Sequence, residues 1–145
     1  MDTGLLHLHN LLRWVILVLL LVSIFQAYSK KPALAKTSLF LMISAHTMLL
    51  IGLYQWLAGR YGIISTGFMP DAGGEGSKGF YRFFQLEHPL TMIVAVVLIT
   101  IARKKSKIPD YKKVLRLLLV ALILILIRVP WPFLKDVGRP WFPGM

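Results

Sequence analysis

The run "LLRWVILVLLLVSIFQAY" (11–28) decides the fold class, because it is long and almost uniformly apolar. Three further apolar runs follow it, over 38–57, 90–102 and 114–127, separated by polar or glycine- and proline-rich breaks. A helix needs roughly 20 residues to cross the hydrocarbon core of a bilayer, so each run predicts the core of a spanning helix. The runs are continuous rather than alternating with period two, which favours helices over a β-barrel.

The composition agrees with a membrane protein. Of the 145 residues 57% are hydrophobic, and the mean hydropathy is +0.67, well above that of a soluble domain of this size. We expect one all-α domain over 1–145, integral to the membrane, with helices over about 5–28, 38–57, 79–102 and 111–128. Short first and third loops predict an antiparallel up-down-up-down bundle. The absence of cysteine excludes thiolate catalysis, cysteine-ligated iron–sulfur clusters and c-type haem attachment.

The net charge of +11 is concentrated in two loops. Ten of the seventeen lysines and arginines lie in "SKKPALAKT" (29–37) and "ARKKSKIPDYKKVLR" (102–116). The positive-inside rule places both loops in the cytoplasm and both termini outside. Four of the acidic residues dilute the charge on the outer side: Asp2, Asp71, Glu75 and Asp136. The expected partner of the basic loops is the lipid bilayer with its anionic headgroups, not nucleic acid, because no groove-reading motif accompanies them.

The second connection, "AGRYGIISTGFMPDAGGEGSKG" (58–79), is rich in glycine and predicts a mobile outer loop. Aromatic residues on both sides of it and after the fourth helix predict a belt at the outer membrane surface: Tyr54, Trp56, Tyr61, Phe80, Tyr81, Phe83, Phe84, Trp131, Phe133, Trp141 and Phe142. The third helix must begin near Gly79 to cross a bilayer, so Pro89 is expected to kink it and to leave the carbonyl of Gln85 without a donor.

All four histidines fall in the outer half of the expected bundle. A rise of about 1.5 Å per residue from the outer interface predicts depths of about 15 Å for His46, about 11 Å for His88 and about 8 Å for His9. Ionisable side chains inside a membrane usually face the bundle interior or a cavity and mark a site. His7 lies about 200° around the helix from His9 and is expected at the outer rim.

In the first helix, His9 and Arg13 are four residues apart and therefore share a face. Ser23, fourteen residues after His9, lies within about 40° of the same face. We assign this face to the interior. Met48 and Met92, near the expected site, are interpreted as core filler.

Neutral imidazoles on facing membrane helices suit the axial ligation of b-type haem, which requires no cysteine. The two deepest histidines, His46 and His88, are the first expected pair, with His9 as substitute ligand. Arg13 is expected to bind the haem propionates, with Arg82 and Arg128 as alternatives, because guanidinium suits carboxylate.

"GLLHLHNLLRW" (4–14), "SAHTMLLIGLY" (44–54) and "EHPLTMIVAVVLIT" (87–100) together resemble the small four-helix membrane proteins labelled cytochrome b in Bacteroidetes-type bacteria. The likeness covers almost the whole chain except the second connection and the C-terminal tail. It implies a four-helix cytochrome in the bacterial inner membrane, with His9, His46 and His88 as motif histidines and Arg13 in the first motif. The chain departs from the pattern at Met48, where a glutamine is usual.

The leading hypothesis is a b-type cytochrome that transfers electrons within the membrane between a quinol pool and a redox partner, rather than an enzyme in its own right. Quinone is a further candidate ligand. One rival is a non-redox accessory or scaffold subunit of a membrane complex, in which the histidines only join helices. A second rival is a site where the histidines and Glu87 hold another metal ion or relay protons.

Overall fold

The fold is all-helical. The computed structural model describes residues 2–68, 78–108, 110–135 and 137–142, and these ranges contain no strand. The helices are α1 (Asp2–Tyr28), α2 (Leu34–Ala58), the short α3 (Ile63–Thr66), α4 (Lys78–Arg82), α5 (His88–Ser106) and α6 (Tyr111–Arg128), with a π-helical turn (Phe83–Glu87) between α4 and α5. The helix α2 begins four residues before the expected start, because the amides of Leu34 and Ala35 already bond to carbonyls of the preceding turn.

The third long helix is continuous from Lys78 to Ser106 and contains the π-helical turn just before Pro89. Proline has no amide hydrogen, so the carbonyl of Gln85 loses its helical donor. The indole Nε1 of Trp56 in α2 donates to that carbonyl instead, at 2.8 Å. The amide of His88 donates to the carbonyl of Phe83 five residues earlier, which is the π-helical pattern. The disturbed turn therefore leads directly into His88.

The long helices contact one another in the order α1, α2, α5, α6 and back to α1. Neighbours run antiparallel: Gly52 near the end of α2 lies against His9 near the start of α1. In the same way Ser38 near the start of α2 contacts Ser106 at the end of α5. The four long helices thus form a closed ring of antiparallel contacts, as the short loops predict.

One half of this bundle, which we call the basic-loop end, contains the connections 29–33 and 107–110 and is closely packed. Its buried side chains include Leu20, Ser23, Ala27, Leu34, Ser38, Leu41, Ala102, Ser106 and Val114. Small residues at helix contacts let the backbones approach. The Oγ atoms of Ser38 and Ser106 are 2.8 Å apart, so a hydrogen bond joins α2 to α5 in this core.

The described start of the second connection is joined to the bundle by hydrogen bonds from Gln85. Gln85 is almost fully buried, and its Nε2 donates to the carbonyls of Tyr61 and Gly67 and to the Oγ1 of Thr66 at 3.0–3.1 Å. The rest of the expected mobile loop, including Asp71 and Glu75, lies outside the described residues, as does Asp136.

The aromatic residues around this connection do not all form a surface belt. Phe80, Tyr81 and Phe83 are buried, and their rings pack against one another and against neighbouring rings. A belt residue would instead face the membrane–water interface. These three side chains therefore belong to the interior of the outer end of the bundle.

Three of the long helices, α1, α2 and the composite third helix, are long and apolar enough to cross a membrane. The fourth, α6, has 18 residues, and four of them are basic: Lys112, Lys113, Arg116 and Arg128. The apolar run inside α6 packs into the bundle through Val114, Leu118, Ala121 and Ile125.

Candidate functional site

The half of the bundle opposite the basic-loop end, which we call the cavity end, contains a cavity of about 450 Å³. It is partly open and is lined by α1, α2, α5, the end of α6, the start of the second connection (59–61) and the C-terminal tail (129–142). Most of its walls are apolar and include Ile16, Ala45, Met48, Leu49, Leu53, Met92, Val96 and Ile125. The size lies within the range of ~300–1,000 Å³ that is typical of small-molecule pockets.

Two histidines face each other in the cavity wall. The ring centroids of His9 in α1 and His88 in α5 are 6.4 Å apart, with an angle of 61° between the ring planes. Both side chains are half-buried and line the cavity. Two facing helices thus present one imidazole each to the same space.

His88 is oriented by a backbone carbonyl. Its Nδ1 donates to the carbonyl oxygen of Arg128 at the end of α6, at 2.7 Å. The ring of Phe83 stacks on the imidazole at 5.8 Å and 28°. Because Nδ1 carries the proton in this hydrogen bond, Nε2 keeps its lone pair for another partner. This carbonyl contact is the type of second interaction that fixes the tautomer of a metal-ligating histidine.

His9 lies against a glycine. A Cβ atom at Gly52 in α2 would be 3.4 Å from Cε1 of His9, the near limit of ordinary van der Waals contact, so the imidazole lies directly against α2 and a side chain larger than alanine would displace it. The Nδ1 atom of His9 is buried and has no hydrogen-bond partner among the described residues. Buried polar atoms normally have such a partner, so this imidazole has unused bonding capacity.

The structure does not bring His46 to this site. Its side chain is exposed on the outer face of α2, and its Nδ1 donates to the carbonyl of Met42 in the same helix at 2.8 Å. The expected pair of His46 and His88 is thus replaced by His9 and His88. The depth of His46 along the bundle agrees with that of the others, but its direction around α2 does not. His7, expected at the outer rim, is half-buried and also lines the cavity.

Arg13 lies on the inward face of α1, as its spacing from His9 predicts, and its side chain is 6% exposed. Its guanidinium binds the C-terminal tail: Nη2 donates to the carbonyls of Pro140 and Trp141 at 3.1 and 2.8 Å. Nη2 is therefore engaged by the protein backbone, while Nε is buried with no partner among the described residues. Arg13 also lines the cavity, and its expected role in binding propionates stays a prediction.

The neighbouring residues of α1 also bind the tail. The indole Nε1 of Trp14 donates to the carbonyl of Trp141 at 2.6 Å, and Asn10 donates to that of Pro140 at 3.2 Å. The ring of Trp14 stacks on Trp141 and Phe142. These contacts hold the C-terminal tail against α1 at the cavity end.

Arg82 and Arg128, the two alternatives to Arg13 as propionate-binding residues, instead form ion pairs with the carboxylate of Glu87. Glu87 contacts Nε of Arg82 at 3.0 Å and Nη1 of Arg128 at 3.4 Å. None of these three residues lines the cavity. Within the described part of the chain, no three His, Cys, Asp or Glu side chains come close enough together to hold a metal ion. The three histidines and Glu87 therefore do not form the metal-binding cluster of the second rival hypothesis.

Two residues of the site were missed by sequence reasoning. Gly52 makes room for His9, and Arg139 of the tail lines the cavity. A glycine in an apolar helix is a weak signal of a close approach, and it could have pointed to α2 as the neighbour of His9. Nothing in the sequence around Arg139 connects it to the histidines.

Comparisons with known protein families, with curated proteins and with solved structures found no match for this chain.

Proposed function

We propose that this chain is a membrane-embedded b-type cytochrome that binds haem between His9 and His88 and transfers electrons within the bilayer. The observation that carries the proposal is the facing pair of imidazoles, 6.4 Å apart, in the wall of an apolar cavity. The resemblance of the sequence to proteins labelled cytochrome b points the same way, but no family match supports it.

The separation of the imidazoles suits two ligands of one metal ion. Metal–nitrogen bonds of ~2 Å on opposite sides of an ion place the centres of two imidazole rings ~6 Å apart. Nδ1 of His88 donates to the carbonyl of Arg128, which leaves its Nε2 available to hold the haem group. The buried Nδ1 of His9 has no partner among the described residues, so the bonding capacity of this imidazole is not used by the protein. The apolar walls fit the flat macrocycle, and Gly52 leaves space beside His9.

Haem bound in this way supplies one-electron oxidation and reduction. His9 and His88 would both hold the haem, and a group held by two protein side chains suits electron transfer better than bond chemistry on a substrate. The carbonyl of Arg128 would keep the proton on Nδ1 of His88, and apolar side chains form most of the walls around the two histidines. Quinol and a second redox protein are the classes of partner that suit this role.

Insertion into a membrane is supported by the outer surface of the bundle. Large apolar side chains are exposed along every long helix, including Val18, Phe25, Leu50, Val94 and Ile123. A soluble monomer rarely exposes contiguous apolar surface on this scale. With both basic loops in the cytoplasm, the termini and the cavity end would lie on the outer side of a bacterial inner membrane.

The test is an optical spectrum of the full chain purified in detergent from cells supplied with haem precursor. We expect a Soret band and, after reduction with dithionite, the α band of a low-spin haem. The variants His9→Ala and His88→Ala should lose the low-spin spectrum. His46→Ala is the matched control and should keep it, because His46 lies on the outer face of α2.

Absence of a Soret band from the folded, haem-supplied protein would overturn the proposal and favour an accessory subunit without redox function. Loss of the spectrum in His46→Ala with retention in His9→Ala would overturn the assignment of the ligand pair.

A further inference from the structure

The cavity has a cationic side chain that the histidine pair does not explain. Arg139 of the C-terminal tail lines the cavity, and no carboxylate pairs with it among the described residues. Its guanidinium carbon lies 5.0 Å from the ring centre of Phe84 and 5.8 Å from those of Tyr61 and Phe80. Aromatic faces attract a guanidinium, but they do not neutralise its charge.

The position of Arg139 relative to the histidines follows from Phe84. The ring of Phe84 contacts the guanidinium on one side and lies 6.4 Å from the imidazole of His88. An extended ligand bound at His88 would thus bring a peripheral anionic group close to Arg139. The cavity has apolar walls between these points, so it suits an amphipathic anion with a large apolar body.

The backbone of the tail holds Arg139 at this place. The amide of Arg139 donates to the carbonyl of Pro130 at 2.9 Å. A Cβ atom at Gly138 would lie 2.7–2.9 Å from the carbonyl oxygens of Leu134, Trp131 and Pro132, so only glycine fits the turn just before Arg139. On the other side, Arg13 holds the carbonyls of the next two residues, Pro140 and Trp141.

The electrostatic setting favours an anion. Burial lowers the pKa of Arg139; Tyr61 opposes that shift, and the positive charge of nearby Arg60 adds to it. A bound carboxylate would offset the free-energy cost of burying this positive charge and its repulsion from Arg60. Guanidinium is the side chain best suited to carboxylate, with which it forms two parallel hydrogen bonds.

We propose that Arg139 binds a carboxylate of the molecule held in the cavity, and that Arg13 is a positioning residue that fixes the tail backbone beside it. This proposal rests on the proposed function, in which the carboxylate is a haem propionate. The same chemistry would accept the headgroup of a fatty acid.

The test compares acids with their methyl esters, in which the carboxylate charge is removed and a small methyl group is added. The full chain in detergent is titrated with haem and with haem dimethyl ester, and in parallel with oleate and methyl oleate. We expect the wild-type protein to prefer haem over its dimethyl ester by about tenfold or more, because a charge-assisted hydrogen bond is lost in the ester. In Arg139→Gln this preference should fall to near unity, while affinity for the ester is retained and reports an intact fold.

The matched control is Arg116→Gln. It removes the same charge from an exposed position near the start of α6, at the basic-loop end, and should keep the wild-type preference. Arg13→Leu should reduce the preference as Arg139→Gln does, and the double variant should be no worse than Arg139→Gln alone. An additive loss in the double variant would show that Arg13 binds the carboxylate directly and would overturn its positioning role.

The outcomes separate the two proposals. Haem binding with an unchanged preference in Arg139→Gln would overturn the carboxylate site and leave the cytochrome. Binding of oleate over methyl oleate that depends on Arg139, without haem binding, would support the carboxylate site and overturn the cytochrome. No preference for either acid over its ester would overturn the carboxylate site.

Discussion

The basic-loop end and the cavity end of the bundle are built from the same four long helices, but they differ in the side chains that lie between those helices. At the basic-loop end, small residues such as Ser38, Ala102 and Ser106 let the helices touch, and Leu20 is fully buried. At the cavity end, His9 and His88 project between the helices, and about 450 Å³ is left between the walls. One half of the bundle is therefore packed for stability, and the other half leaves space for the candidate site.

The two ends are also closed differently. Connections of a few residues join the helices at the basic-loop end, where Ser38 and Ser106 share a hydrogen bond. At the cavity end the C-terminal tail crosses from α6 and binds α1 through Arg13 and Trp14. The tail thus joins α6 to α1 at the cavity end, whereas direct contacts between helices hold the basic-loop end together.

The largest expected effect is from Leu20→Ala in the packed half. It should lower the free energy of unfolding by about 2–3 kcal/mol, near the low end for such changes because unfolded helices in detergent remain in an apolar phase. Leu53→Ala, in the cavity wall, should cost less than about 1.5 kcal/mol, because it only enlarges an existing space. Denaturation in mixed micelles, followed by near-ultraviolet circular dichroism, measures both. Equal costs would remove the proposed difference between the ends.

Trp14→Phe should loosen the tail without unfolding the bundle. It removes the indole hydrogen bond to the carbonyl of Trp141, which corresponds to about 1 kcal/mol or about a fivefold increase in tail opening. Hydrogen exchange of the Arg139 amide, which bonds to Pro130, is the measurement. Trp56→Phe is the control, since its indole donates to Gln85 and not to the tail. Unchanged exchange in Trp14→Phe would show that the tail is held by other contacts.

Ser38→Ala should cost about 0.6 kcal/mol, the average for a hydrogen bond between membrane helices. The cost is small because Ser106 keeps its hydrogen bond to the carbonyl of Arg103. A double-mutant cycle with Ser106→Ala measures the coupling, and Thr37→Ala, whose hydroxyl bonds within its own helix, serves as control. Zero coupling between the two serines would mean that this hydrogen bond does not join α2 to α5 in solution.

The smallest effect is expected at Gly52. Replacing glycine by alanine in a helix normally adds up to ~1 kcal/mol of stability, which Gly4→Ala can gain because nothing lies within 4 Å of its new Cβ. At Gly52 the new Cβ would lie 3.4 Å from Cε1 of His9, at the near limit of ordinary contact, so Gly52→Ala should gain less stability than Gly4→Ala. Thermal unfolding of the two variants compares them directly. A larger gain in Gly52→Ala than in Gly4→Ala would argue that His9 does not lie this close to α2.

The site could be predicted from the sequence only along the helix axes. Depths calculated from the rise per residue place His9, His46 and His88 within about two turns of one another, but they do not define the direction around each helix. The outer face of α2 is as apolar as its inner face, so hydrophobicity could not show that His46 points outward. In α1 the shared face of His9, Arg13 and Ser23 was correct, because polar residues at helical spacing mark an inward stripe.

Long apolar helices, the disturbance of the third one by Pro89 and the gathering of the histidines toward one end all follow from the order of residues along the chain. That His9 rather than His46 faces His88, and that the tail brings Arg139 to the cavity, follows from the packing of the helices. The two sets of features differ in the sequence separation of the residues involved. Helix formation and its interruption are local properties, whereas the Arg13 contact joins residues 127 positions apart, and such contacts are selected by the packing of the whole bundle.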